Sequence, residues 1–159
     1  MMIALKFAII TCSDTRTLET DEAGHALTSL IEDKGWEVIS HEIVADDFTA
    51  IGRALTAATD KIGADVVLTC GGTGFSKRDI TPEATLAIGE RFAPGIAEAI
   101  RMQSMAVTRR AMLSRGQAVL RKDSLIVNLP GSTKAATEAF SFIEDQLEHA
   151  IEMLHGGGH

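Results

Sequence analysis

The sequence predicts a three-layer α/β sandwich: a mostly parallel central sheet with helices on both faces. Three observations carry that expectation. Short continuous apolar runs recur at Lys6–Cys12, Asp65–Cys70 and Ser124–Asn128, as in strands buried on both faces. Apolar residues at helical spacing fill the segments between the early runs. Strand, helix, strand, helix, strand in succession is the pattern of parallel strands joined by right-handed crossovers.

Each element has its own local reason. Lys6–Cys12 is the first strand, and polar Ser13–Gly24 is a loop. Ala23, Ala26, Leu27, Leu30 and Ile31 mark a helix closed by Gly35, a residue suited to the left-handed C-terminal position. Trp36–Val44 is the second strand. Asp46 or Asp47 caps a helix striped by Phe48, Ile51, Leu55, Ala58 and Ile62 and closed by Gly63. After the third strand come Gly71-Gly72-Thr73-Gly74 and a polar loop to Asp79. Thr81-Pro82-Glu83 is a helix start with a hydroxyl cap, an early proline and a first-turn acid. Pro94-Gly95 breaks that helix, and another runs from about residue 96 to 105. Ala118–Leu120 and Ser124–Asn128 are strands. A final helix carries Ala136, Ala139, Phe140, Ile143, Leu147 and Ile151 on one stripe.

At 159 residues, 45% hydrophobic and 23% charged, the chain fits one globular domain, placed at 1–154 with a disordered tail at 155–159. A chain this long buries about two-thirds of its unfolded surface and needs no staples. Two cysteines, Cys12 and Cys70, exclude a disulfide scaffold, and both fit buried free thiols. No apolar run reaches membrane-spanning length. The apolar N-terminus reads as a strand rather than a signal peptide, so cytoplasm is the expected compartment. The histidines form no metal or triad pattern and read as surface or incidental residues.

Net charge is −7, which argues against a nucleic-acid partner. The charge is uneven: residues 71–134 hold 10 basic and 5 acidic residues, while residues 1–70 hold 5 and 12. A solvated basic face would explain this, and so would a pocket for a small anion.

Parallel sheets bind ligands beyond the carboxyl ends of their strands. Four polar or glycine-rich loops fall there: Ser13-Asp14, Asp46-Asp47, Gly71–Gly74 and Pro130-Gly131-Ser132. The glycine loop lets backbone N–H groups approach an anion, although a tight turn needs the same glycines. It is neither a P-loop nor a dinucleotide fingerprint, since Lys77 stands where a third glycine belongs. Asp46 and Asp79 suit Mg²⁺ shared with substrate phosphates; helix capping and loop solvation are the structural alternatives. Ser114-Arg115 offers a hydroxyl and a guanidinium to phosphate or an acidic ring, and Ser132 is also a helix cap.

The run Leu68–Ala84 (LTCGGTGFSKRDITPEA) resembles the molybdenum-cofactor biosynthesis family that includes molybdopterin adenylyltransferase and molybdenum cofactor biosynthesis protein B. Ser13–Thr17 with Asp21 and Gly24, Ile43–Asp47, Met112–Arg115 and Asn128–Ser132 extend the resemblance over about residues 5–150. Cys70 and Ala45 depart from the family's more usual residues. The resemblance implies a molybdopterin-binding-domain-like fold, assembled as a homotrimer or hexamer. It implies adenylylation of molybdopterin by MgATP with release of pyrophosphate; the alternative is a non-catalytic binding or delivery module. A molybdenum-insertion protein is the implied partner. By motif position Asp46 and Asp79 are the implied catalytic and Mg²⁺-holding residues. Ser13, Asp14, Gly71, Gly72, Thr73, Gly74, Arg78, Glu83, Ser114, Arg115, Pro130, Gly131 and Ser132 are the implied substrate contacts.

Overall fold

The computed structural model describes residues 3–157. Its six-stranded sheet runs β2 (Glu37–Val44), β1 (Lys6–Cys12), β3 (Val66–Cys70), β6 (Ser124–Leu129), β5 (Ala118–Arg121), β4 (Arg91–Phe92). The first four strands in that order are mutually parallel, with Ile9 opposite Leu68 and Leu68 opposite Val127. β5 and β4 add an antiparallel edge. The helices are α1 (Glu22–Asp33), α2 (Phe48–Ala57), α3 (Thr81–Ile88), α4 (Pro94–Met105) and α5 (Thr133–Leu154).

Side chains alternate across the sheet and so build two cores. Phe7, Ile9, Leu68 and Val127 pack with Leu27 and Ile31 of α1, Ile100 of α4, and Phe140, Ile143 and Leu147 of α5. On the other face, Ala8, Ile10, Val67 and Ile126 meet Ile51 and Leu55 of α2 and Ala84 of α3. Phe7 stacks on Trp36 with ring centroids 5.4 Å apart and meets the edge of Phe140 at 6.2 Å. Burying each such ring contributes about 2–3 kcal/mol relative to exposing it. Cys12 and Cys70 are buried free thiols, as expected.

Several local expectations change. Pro94 opens α4 rather than only breaking the helix before it, because a first-turn residue has no intrahelical use for the N–H that proline lacks. The two-residue strand β4 and a 3₁₀ turn at Arg109–Leu113 are too short to leave a periodic signal. α2 loosens into a π-helical turn at Ala58–Ile62 before Gly63 ends it with φ 74°. His155–Gly157 continues α5 as a hydrogen-bonded turn, and His155 Nε2 lies 3.1 Å from the Asp123 carbonyl. Gly158 and His159, the rest of the expected tail, lie outside the described residues.

Candidate active site

Because β1, β2, β3 and β6 are parallel, the loops leaving their carboxyl ends meet at one edge. Gly71 has φ 96°, and a Cβ there would sit 2.7 Å from the Cys12 carbonyl oxygen. Gly72 has φ 70°; a Cβ there would collide with the Thr81 hydroxyl and lie 3.4 Å from Asp46 Oδ1. Both the left-handed backbone and the close approach therefore demand glycine. Thr81 anchors the turn: its hydroxyl donates to the Gly71 carbonyl (2.9 Å), and its N–H donates to the Gly72 carbonyl (3.2 Å). This corrects the expectation that Thr81 caps α3, whose cap position is Ile80 with no side-chain bond. The Gly71 N–H is used by the Leu129 carbonyl, but those of Gly72, Thr73 and Gly74 meet no acceptor among the described residues. Three successive N–H groups are therefore left without an internal acceptor.

The carboxylates face this loop. Asp47, not Asp46, caps α2 by accepting from Ala50 N at 2.8 Å. Asp46 is thereby left for other work. Its Oδ1 is buried without a hydrogen-bond partner among the described residues. Burial raises the pKa of this carboxyl, and the neighbouring charges of Asp14 and Asp79 raise it further. A buried, unpaired carboxylate oxygen is costly and has a use where a cation is to be held. Asp79 Oδ2 accepts from Ser76 N at 3.0 Å, which folds the 74–79 loop back on itself. No group of three or more His, Cys, Asp or Glu residues among those described could hold a metal ion. Asp46 and Asp79 are thus two carboxylates facing one loop, not a closed protein cage.

The remaining expected residues divide by what already engages them. Asp14 takes Arg78 in a two-point pair (3.0 and 2.9 Å) and accepts from Asp46 N (3.0 Å), joining three of the loops. The Arg78 bond holds the Asp14 carboxyl below its ordinary pKa. Ser13 Oγ accepts from Thr15 N and Arg16 N, and so shapes its own turn. Ser132 caps α5 through Ala135 N at 3.2 Å, and a Cβ on Gly131 would lie 3.3 Å from the Gly71 Cα. Each of the three side-chain nitrogens of Arg115, an expected substrate contact, donates to protein oxygen: Nε to the Gly74 carbonyl (2.8 Å), Nη2 to the Asp79 carbonyl (2.9 Å) and Nη1 to Glu83 Oε2; two of the five guanidinium N–H groups are not used by these bonds. It ties together the two ends of the loop that carries Asp79. A cavity of about 280 Å³ opens beside Thr73, Gly74, Ser114 and Pro130, between α4, the 3₁₀ turn and the start of α5.

Two buried polar clusters join residues that no local sequence pattern connects. Asp21 is fully buried and accepts from Thr11 Oγ1 (2.6 Å), His41 Nε2 (2.7 Å) and Gly24 N (3.1 Å). Burial pushes its carboxyl pKa up, but these bonds together outweigh that and hold it down. His41 is thus a structural partner that ties the first loop to β2, not an incidental surface residue. Asn128 donates to the Thr69 and Thr85 hydroxyls (3.0 and 2.9 Å), joining β6, β3 and α3 beneath the site. Cys12 lies by Thr81 and Asp46, and burial pushes its thiol up to about 12.

Comparison with known proteins shows the family. Residues 8–149 match the family model described as "probable molybdopterin binding domain". Molybdenum cofactor biosynthesis protein B of Bacillus cereus is 42% identical over 152 residues, spanning 92% of this chain and 89% of that protein. Molybdopterin adenylyltransferase of Helicobacter pylori is 32% identical over 159 residues, 98% of this chain and 90% of that one. The crystal structure of the molybdopterin biosynthesis enzyme MoaB from Thermus thermophilus superposes with a TM-score of 0.88 at 36% identity, covering 98% and 99% of the two chains. A fold, a set of strand-end loops and a sequence shared over nearly the whole chain place this protein in the molybdopterin-binding domain family of molybdenum cofactor biosynthesis.

Proposed function

We propose that this protein binds molybdopterin and joins it to AMP, using ATP and releasing pyrophosphate. One observation carries the reading: Asp46 Oδ1 is buried without a donor, 3.4 Å from where a Gly72 Cβ would stand. An oxygen so placed, beside three open N–H groups, suits a cation shared with phosphate. The names and similarity of the relatives support the substrates.

In this reading a terminal phosphate oxygen of the pterin attacks the α-phosphorus of ATP. The new P–O bond forms as the bond to the β-phosphate oxygen breaks, and pyrophosphate leaves with that electron pair. The chemistry needs positioned phosphates and compensated charge rather than a protein nucleophile. Cys12, protonated at neutral pH, is not suited to be one. The N–H groups of Gly72, Thr73 and Gly74 hold phosphate oxygens. Asp46 and Asp79 hold Mg²⁺, which when bound neutralises phosphate charge. Arg115 and Asp14 fix the loops that carry those groups.

Assembly as a homotrimer or hexamer, a molybdenum-insertion protein as partner and a cytoplasmic setting belong to the same proposal. No helix among the described residues is long and apolar enough to cross a membrane. The deciding experiment incubates the pure protein with molybdopterin and MgATP and assays pyrophosphate together with adenylated pterin. Tight pterin binding with no pyrophosphate would identify a binding or delivery module instead.

A further inference from the structure

The basic segment of the chain contains two kinds of cation. Arg78 is engaged by Asp14, and Arg115 by Gly74, Asp79 and Glu83. Arg101 donates to the carbonyls of Ser114 and Gly116 (3.3 and 2.7 Å), and Arg121 to Asp60 and the Ile88 carbonyl. Arg110 differs. Its backbone N–H bonds Thr108 Oγ1 at 3.3 Å, which helps to fix the 3₁₀ turn that carries it. Its guanidinium meets no carboxylate, carbonyl or hydroxyl among the described residues.

Arg110 nevertheless lines the 280 Å³ cavity that the glycine loop shares. Val107 and Leu113 give that cavity apolar wall. Its single carboxylate is Glu138, whose nearest cation is the exposed Lys134 Nζ at 3.8 Å. An apolar wall, an uncommitted guanidinium and a weakly paired carboxylate suit one kind of ligand: a flat heterocycle with N–H donors and an anionic substituent. A polyphosphate alone would be repelled by Glu138.

We propose that Arg110 is a specificity-determining residue of this cavity, pairing with the phosphate-bearing side chain of a pterin whose ring lies on the apolar wall. The inference rests on the molybdopterin reading above and assigns the anion contact to Arg110, leaving Arg115 to position the loop. A guanidinium matches phosphate geometry through parallel N–H bonds, and lysine can replace it as a point charge.

The test measures molybdopterin affinity by titration calorimetry without ATP, for wild type, Arg110→Gln and Arg110→Lys, with melting temperature recorded for each. Arg110→Gln is expected to weaken binding about 10- to 100-fold, the range for a lost hydrogen bond to a charged group. Its melting temperature and its affinity for the dephosphorylated pterin should stay at wild-type values, and Arg110→Lys should recover most of the loss. Wild-type affinity in Arg110→Gln overturns the assignment, and so does an equal loss toward the dephosphorylated pterin. If wild type itself binds no molybdopterin, the functional reading falls and the assignment falls with it.

Discussion

The two ends of the central sheet both carry cavities, and the larger and more polar one lies away from the glycine loop. At the amino ends of the parallel strands a cavity of about 470 Å³ is lined by Thr59, Asp60, Asp65, Lys122, Asp123 and His155. Its two less exposed carboxylates are matched. Asp60 accepts from Arg121 (3.2 and 2.8 Å), from Thr59 (2.8 Å) and pairs with Lys122 (3.3 Å). Asp65 accepts from Lys6 N at 2.9 Å. At the carboxyl ends, Asp46 Oδ1 and Glu83 Oε1 are buried with no donor, and three loop N–H groups have no acceptor. Unmet polarity, rather than volume, distinguishes the candidate site from the crevice at the other end.

Substitutions at the two ends should therefore behave oppositely. The largest effect is expected for Asp46→Asn, which should lower pyrophosphate release roughly 10²- to 10³-fold, the scale for losing one charge-stabilising group. Its melting temperature should hold or rise. The pKa of Asp46 is raised by folding, so the native state binds the proton more tightly. Its ionised form therefore costs stability as pH climbs from the ordinary carboxylate range through the raised value. Melting curves of wild type and Asp46→Asn from pH 4 to 8 should diverge across that window, with the variant gaining on wild type toward high pH. Parallel curves would show that Asp46 carries no folding penalty.

Arg115→Lys comes next. A lysine cannot reproduce a fork that serves Gly74, Asp79 and Glu83 together. Turnover should fall at least tenfold and melting temperature should drop, with Glu83 left short of its partner. Kinetics and melting on the same sample check both parts.

Asp60→Asn at the other end should lower the melting temperature and leave turnover unchanged. Bonds from Arg121, then Thr59, hold the Asp60 carboxyl far below its ordinary range. Its contribution is present above the ordinary carboxylate pKa and fades as pH falls toward the folded value. The gap between wild type and variant should therefore narrow from pH 5 to pH 2. A loss of turnover at neutral pH would break the contrast between the two ends.

The smallest effects compare two glycines. Gly63, with φ 74° and open space around a Cβ, should cost about 1 kcal/mol on change to Ala, with normal turnover. Gly72→Ala meets the same backbone strain and also the Thr81 hydroxyl. It should cost about 1–2 kcal/mol or more and remove turnover as well. Chemical denaturation of both variants, with activity measured in parallel, decides whether the loop glycines serve the turn alone.

The sequence alone determined the class of fold and the edge at which the strand-end loops meet. Apolar runs such as Lys6–Cys12 and the stripe of α5 are local patterns, and parallel strands put their following loops at one edge whatever the side chains. The four loops it marked do converge. Tertiary structure decided which groups are committed and which are open. Asp46 and Asp47 are equal cap candidates in sequence, and only the folded turn gives the cap to Asp47. Arg110 and Arg115 are alike in type and five positions apart, yet Arg115 is bonded into the loop while Arg110 lines a cavity, its guanidinium without a protein partner among the described residues. Asp21 and His41 meet across 20 positions, with no periodicity to announce them. Hydrogen-bond partnership is a property of distance in space, and a chain encodes it only through the whole of its packing.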